Sequence, residues 1–227
     1  MPLTLSQYDA ALGDHAAWMA AGRGLLAAAD LLWPKAEAEL AALRTHSAHA
    51  ALLANLRRQQ RAGTLRPALE SLLDELEEKL RQPRDGVHDL PFASAYQLLA
   101  GHAVENMLKG LRVVRLIAEG KTVGAGTGED QIPFTTHRCA QFARVELGTL
   151  SPAEADVLER LGTFVTWAGR FPVSDHGAPS ADALAAAFAE PRAVHALCGR
   201  IADAYESRHR DAAIAAPAGS SRRRTAS

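Results

Sequence analysis

Two cysteines, Cys139 and Cys198, are too few for a disulfide scaffold in a chain of 227 residues, and no Cys-x-x-Cys pair offers a zinc knuckle. Reduced thiols in a cytosol are the simplest reading. β-Branched residues are sparse, so little favours strands. No run approaches the ~18 uninterrupted apolar residues a membrane span needs, since even the richest stretch, 25–34, holds Asp30. The first fifteen residues carry two aspartates and no Lys or Arg, the opposite of a secretory n-region, so no export signal is expected. An excess of one charge is missing as well: 25 Lys+Arg against 26 Asp+Glu leave −1. That balance excludes both a polycation that coats nucleic acid and an acidic disordered segment. Any charged function has to be local.

The residues that are present are those of a folded domain. Hydrophobic residues make up 48% and charged ones 22%, near globular averages, and the length suffices for a real core. Alanine and leucine dominate, and apolar residues recur at three and four, which makes the chain all-α. A first helix is expected over 6–32, with Trp18, Leu25, Leu26 and Leu32 along one side. Pro34 closes or kinks it and opens a second helix that Gly63 ends. A third, charged and amphipathic, covers 65–82, followed by a loop over 83–91. The longest uninterrupted helical pattern, 92–120, has a wide apolar face and reads as the central helix. It ends in a glycine-rich loop.

Thr135 or Thr136 then caps a short helix closed by Gly148. Ser151, Pro152 and Glu154 form a capping box, the clearest helix start in the chain. A last helix is expected from Ser180 to about Arg210, with Pro191 as a point of interruption, before a basic tail containing Arg222–Arg224. The expected architecture is an up-and-down bundle of about six to seven helices. Residues 1–82 form N-terminal helices that are part of the bundle or packed on it, 83–212 the bundle, and 213–227 a disordered tail to which no role is assigned.

Gly120, Lys121 and Thr122 imitate the end of a phosphate-binding loop, but Arg115 stands where the required earlier glycine belongs and no strand precedes. His102, Glu105 and Lys109 share one side of the central helix; a Glu105–Lys109 ion pair accounts for them better than a metal does, and a polar binding patch is the remaining reading. No metal site and no cofactor are expected. Arg170 and His176 flank a proline-containing turn with Ser174 and Asp175 between them. A guanidinium that holds a phosphate, beside an imidazole that moves the proton of an attacking 2′-hydroxyl, is the pairing that phosphodiester cleavage needs. The bland alternative makes Arg170 a helix-end cap and His176 an ordinary loop residue.

The run Ala103, Glu105, Leu108, Lys109 and Gly110, the later His137, and the Trp-Ala-Gly-Arg-Phe-Pro turn from Trp167 to Pro172 together resemble a bacterial branch of the HEPN superfamily, over roughly 92–176. The resemblance implies an all-helical bundle that forms a homodimer and, in many members, a metal-independent endoribonuclease of toxin–antitoxin or phage-defence systems. Active members carry Arg, four to six residues, then His at a helix boundary, a spacing that Arg170 and His176 meet. They place a polar residue directly after the Arg, whereas Phe171 follows here. The resemblance thus makes Arg170, His176 and Asp175 the catalytic candidates. His102, Glu105, Lys109 and His137 are the binding candidates, and RNA, a second copy and an antitoxin or other protein are the partners. Other members of the superfamily are non-catalytic interaction modules that bind a partner protein or a nucleotide.

Overall fold

The computed structural model describes residues 13–81, 90–124, 139–165 and 188–215. These residues are all-α, in six helices without strands: α1 (His15–Arg61), α2 (Glu70–Arg81), α3 (Pro91–Ala118), α4 (Cys139–Leu147), α5 (Pro152–Thr163) and α6 (Pro191–Ala215). A single 3₁₀ turn, Pro67–Leu69, leads into α2. None of these helices is long and apolar enough to cross a membrane.

The expected break at Pro34 does not occur, and α1 runs through it for 47 residues. Pro34 is exposed and Asp30, whose carbonyl loses its helical donor to it, is half-buried, so the break in the ladder does not fall in the core. On either side of it Ala29 and Ala36 are fully buried in the same cluster as α3, and this tertiary packing outweighs the local cost of the proline. Pro191 behaves in the opposite way. It starts α6, after the non-helical residues 188–190, at the position where its missing N–H costs nothing. Ser180 lies outside the described residues, as does the segment 216–227.

The bundle is organised around α3, whose Ala93, Tyr96, Ala100, Val104, Leu108 and Leu111 are all fully buried. α1 lies antiparallel to it: Met19 meets Gly110, Gly22 meets Ala103 and Met107, and Trp33 packs on Tyr96 with ring centroids 5.0 Å apart. The two backbones come close at Gly22, where a Cβ would stand 2.8 Å from the Ala103 carbonyl oxygen. The first amides of α3 are held by a carboxylate from α1, since Phe92 N and Ala93 N donate to Glu39 at 3.3 and 2.8 Å. α6 returns along α1, with His195 Nε2 2.9 Å from Asp30 and His15 Nδ1 2.7 Å from the Tyr205 hydroxyl.

The capping box of α5 is present. Ser151 N donates to Glu154 at 2.7 Å and Glu154 N donates to Ser151 Oγ at 3.3 Å. Beyond Leu43, α1 leaves the bundle. No residue between Leu43 and Leu53 is buried, and its last turns pair with α2 through a separate small core of Leu53, Leu56, Leu73 and Leu76. The described residues form a bundle with a two-helix arm.

Candidate functional site

Helical spacing brings His102, Glu105, Lys109 and Arg112 to one side of α3, and the fold covers that side almost entirely. Glu105, Lys109 and Arg112 are 4, 6 and 5% exposed. Lys109 donates to Glu105 at 2.7 Å and sits 5.2 Å from the centroid of the Trp18 ring, so α1 supplies the apolar wall of this ion pair. His102, one third exposed at its side chain, places Nδ1 3.4 Å from the other Glu105 oxygen. One turn further, Arg112 lies over the Phe142 ring of α4 at 3.9 Å and donates to Glu146 at 2.7 Å.

Glu146 is the hub. Its carboxylate is fully buried and also accepts from Arg115 at 3.2 Å and from Arg208 of α6 at 2.9 Å, while Arg208 donates again to the Glu146 carbonyl. Although burial works against the charge of Arg115, Glu146 and Glu119 hold its guanidinium above its ordinary value. Three helices are therefore joined by one carboxylate bonded to three guanidiniums. Such a network is strongly destabilised when one partner is removed.

The thiols offer no nucleophile. Burial first, and the nearby Glu105 second, push the Cys139 thiol up to about 12, and burial chiefly does the same for Cys198, also to about 12. Among the described residues no group of three or more His, Cys, Asp or Glu is placed to hold a metal ion.

Of the residues singled out by sequence, Glu105, Lys109 and His102 come together, on a covered face. His137, Arg170, Asp175 and His176 lie outside the described residues, as do Ser174 and the turn from Trp167 to Pro172. The helix upstream of them, α5, ends at Thr163 and contributes Asp156 and Arg160 to an open cleft of about 500 Å³ also lined by Arg44, Phe188 and Glu190. Arg160 donates to Asp156 at 2.8 Å and to the Phe188 carbonyl at 3.3 Å. The cleft is balanced in charge.

Sequence reasoning missed Glu146 and Arg208, which meet across 62 positions. No local spacing signals that pair. No protein-family model, curated protein or solved structure matches the chain.

Proposed function

We propose that this chain is an HEPN-like protein of the cytosol that cleaves RNA as a homodimer, without metal, through Arg170 and His176. The observation that carries the reading is the spacing of that pair after a capped helix in an all-helical chain. The packing of Ala103, Leu108 and Gly110 against neighbouring helices supports it, because these are residues of the run on which the resemblance rests. In this mechanism Arg170 neutralises and orients the scissile phosphate. Neutral His176, oriented by Asp175 or Ser174, takes the proton of the 2′-hydroxyl, whose oxygen attacks phosphorus. The bond to the 5′-oxygen breaks, that oxygen gains a proton, and a 2′,3′-cyclic phosphate and a 5′-hydroxyl result. Purified wild type should cleave mixed RNA in the presence of a chelator, and Arg170→Ala and His176→Ala should lose at least about 100-fold in rate. Equal cleavage by all three proteins, or by none, overturns the reading.

A non-catalytic interaction module that binds an antitoxin, another protein or a nucleotide is the second reading. The arm formed by α1 and α2 favours it, because an extension that adds so little core is better suited to contact than to stability. The polar side of α3 is not the surface such a module would use, since Glu105 and Lys109 are spent on each other and under Trp18.

A further inference from the structure

Between Glu39 and Glu70 the chain contains no acidic residue, yet it holds Arg44, Arg57, Arg58, Arg61 and Arg66. In a protein of net charge −1 this is a segregated positive region, and the fold carries most of it to one place. At 1.5 Å per residue, about 27 Å of helix separates Leu43, the last α1 residue in the bundle core, from Arg61 at the far end of the arm. Arg57, Arg58 and Arg61 fan over about 100° of the last α1 turns, and Arg66 stands in the connection to α2. All four are exposed. Arg57 is tied to Glu77 at 2.9 Å, whereas Arg58, Arg61 and Arg66 form no ion pair among the described residues. Of the five acids of α2, three are engaged elsewhere, Glu75 and Glu78 with Lys79 and Arg81 of their own helix and Glu77 with Arg57. Glu70 and Asp74 form no ion pair with these arginines among the described residues and leave the tip with more positive than negative charge.

The helix dipole explains a cation or two at the end of α1 but not Arg66, which follows the helix. An apolar partner finds no foothold, because Leu65 and Leu69 pack into the small core of the arm. What the tip offers is three planar guanidiniums with paired donors and no lysine, a set suited to phosphate oxygens.

We propose that the arm tip, through Arg58, Arg61 and Arg66, is a docking site for the phosphodiester backbone of RNA. The choice of RNA among polyanions rests on the function proposed above; the docking site itself does not require cleavage. The test is fluorescence anisotropy on the full chain carrying His176→Ala, titrated against a labelled single-stranded RNA of about 20 nucleotides over a salt series, with DNA of the same sequence and polyglutamate as competitors.

Neutralising the tip as R58Q/R61Q/R66Q should weaken RNA binding on the order of tenfold near 0.1 M salt and flatten the slope of log K against log salt by about 2, at ~0.7 per lost phosphate contact. Unchanged affinity and slope overturn the proposal, as does an absence of RNA binding in the parent protein. Polyglutamate displacing RNA by capturing the tip would also overturn it, because the site would then serve an acidic protein. DNA competing as well as RNA would keep the phosphate site and remove the preference for RNA. Single variants at the exposed Arg58 and Arg66 repeat the comparison should the triple variant melt early. Because binding is read with His176 replaced, an RNA affinity unchanged by the tip variant overturns the docking site and leaves the cleavage reading standing, and loss of cleavage with tip-dependent binding retained does the reverse.

Discussion

The bundle and the arm are built by the same helix to opposite ends. In its first half α1 meets α3 backbone to backbone at Gly22 and shares a continuous core with α4, α5 and α6. Beyond Leu43 it packs on α2, through a core of four buried leucines and surface ion pairs such as Arg57–Glu77. Surface pairs contribute little, and four leucines cannot offset the entropy of ordering two helices by themselves. The arm is helical because the bundle has already nucleated α1, so each added residue gains a hydrogen bond without a new nucleus. The comparison teaches that the stable part of this protein and its most accessible charge occupy different places.

The strongest way to break that division is to remove the hub of the bundle. Glu146→Ala should cost about 3–5 kcal/mol, because Arg112 would be left buried without its carboxylate while no core volume is gained. Denaturant unfolding should show the loss, and Glu146→Ala combined with Arg112→Met should recover part of it. The next largest effect belongs to the arm. Leu76→Ala should cost about 2–4 kcal/mol locally, seen as faster amide exchange over α2 and the end of α1, with the unfolding of the bundle unmoved. Equal loss of protection in α3 would show arm and bundle to be one cooperative unit.

Two glycines on α1 sharpen the same contrast within the bundle half. Gly22→Ala should destabilise by about 1–3 kcal/mol, since its Cβ would meet Met107 Cγ at 2.5 Å and the Ala103 carbonyl oxygen at 2.8 Å, and backbone cannot step aside. Gly24→Ala has open space and should stabilise by about 0.5–1 kcal/mol through helix propensity alone. Thermal melts of the two variants should move in opposite directions.

What was legible in the sequence was what is local. The Ser151–Glu154 box, the Gly148 stop with φ of +73°, and the Glu105–Lys109 pair at four residues are all encoded within one or two turns, and all are present. The continuity of α1 through Pro34 was not legible, because it is decided by Ala29 and Ala36 meeting a helix some sixty residues later. Nor was the role of Glu146, whose partners stand 31, 34 and 62 positions away. His102, Glu105 and Lys109 were read correctly as neighbours; that they would be covered could not be read, since the cover comes from Trp18 of a distant element. For Arg170, Asp175, His176 and His137 spacing and resemblance are the whole argument.

The smallest effect compares one carboxylate in each region through pH. Glu154 has its carboxyl held below the usual range by Arg200 first, with Ser151 adding to it and burial opposing. A group whose folded value is depressed stabilises the protein above its unfolded value, and that contribution disappears as pH falls through the folded one. Wild type should therefore lose an increment of stability on acidification below the ordinary glutamate value of 4.5 that Glu154→Gln does not lose, so their melting temperatures should converge at low pH. Glu75 of α2 is also depressed, by Lys79, but it stands on the exposed side of the arm, where water and salt screen the pair. Glu75→Gln should leave the pH profile of the bundle superimposable on wild type. A profile altered equally by both substitutions would mean that the arm feeds stability back into the bundle.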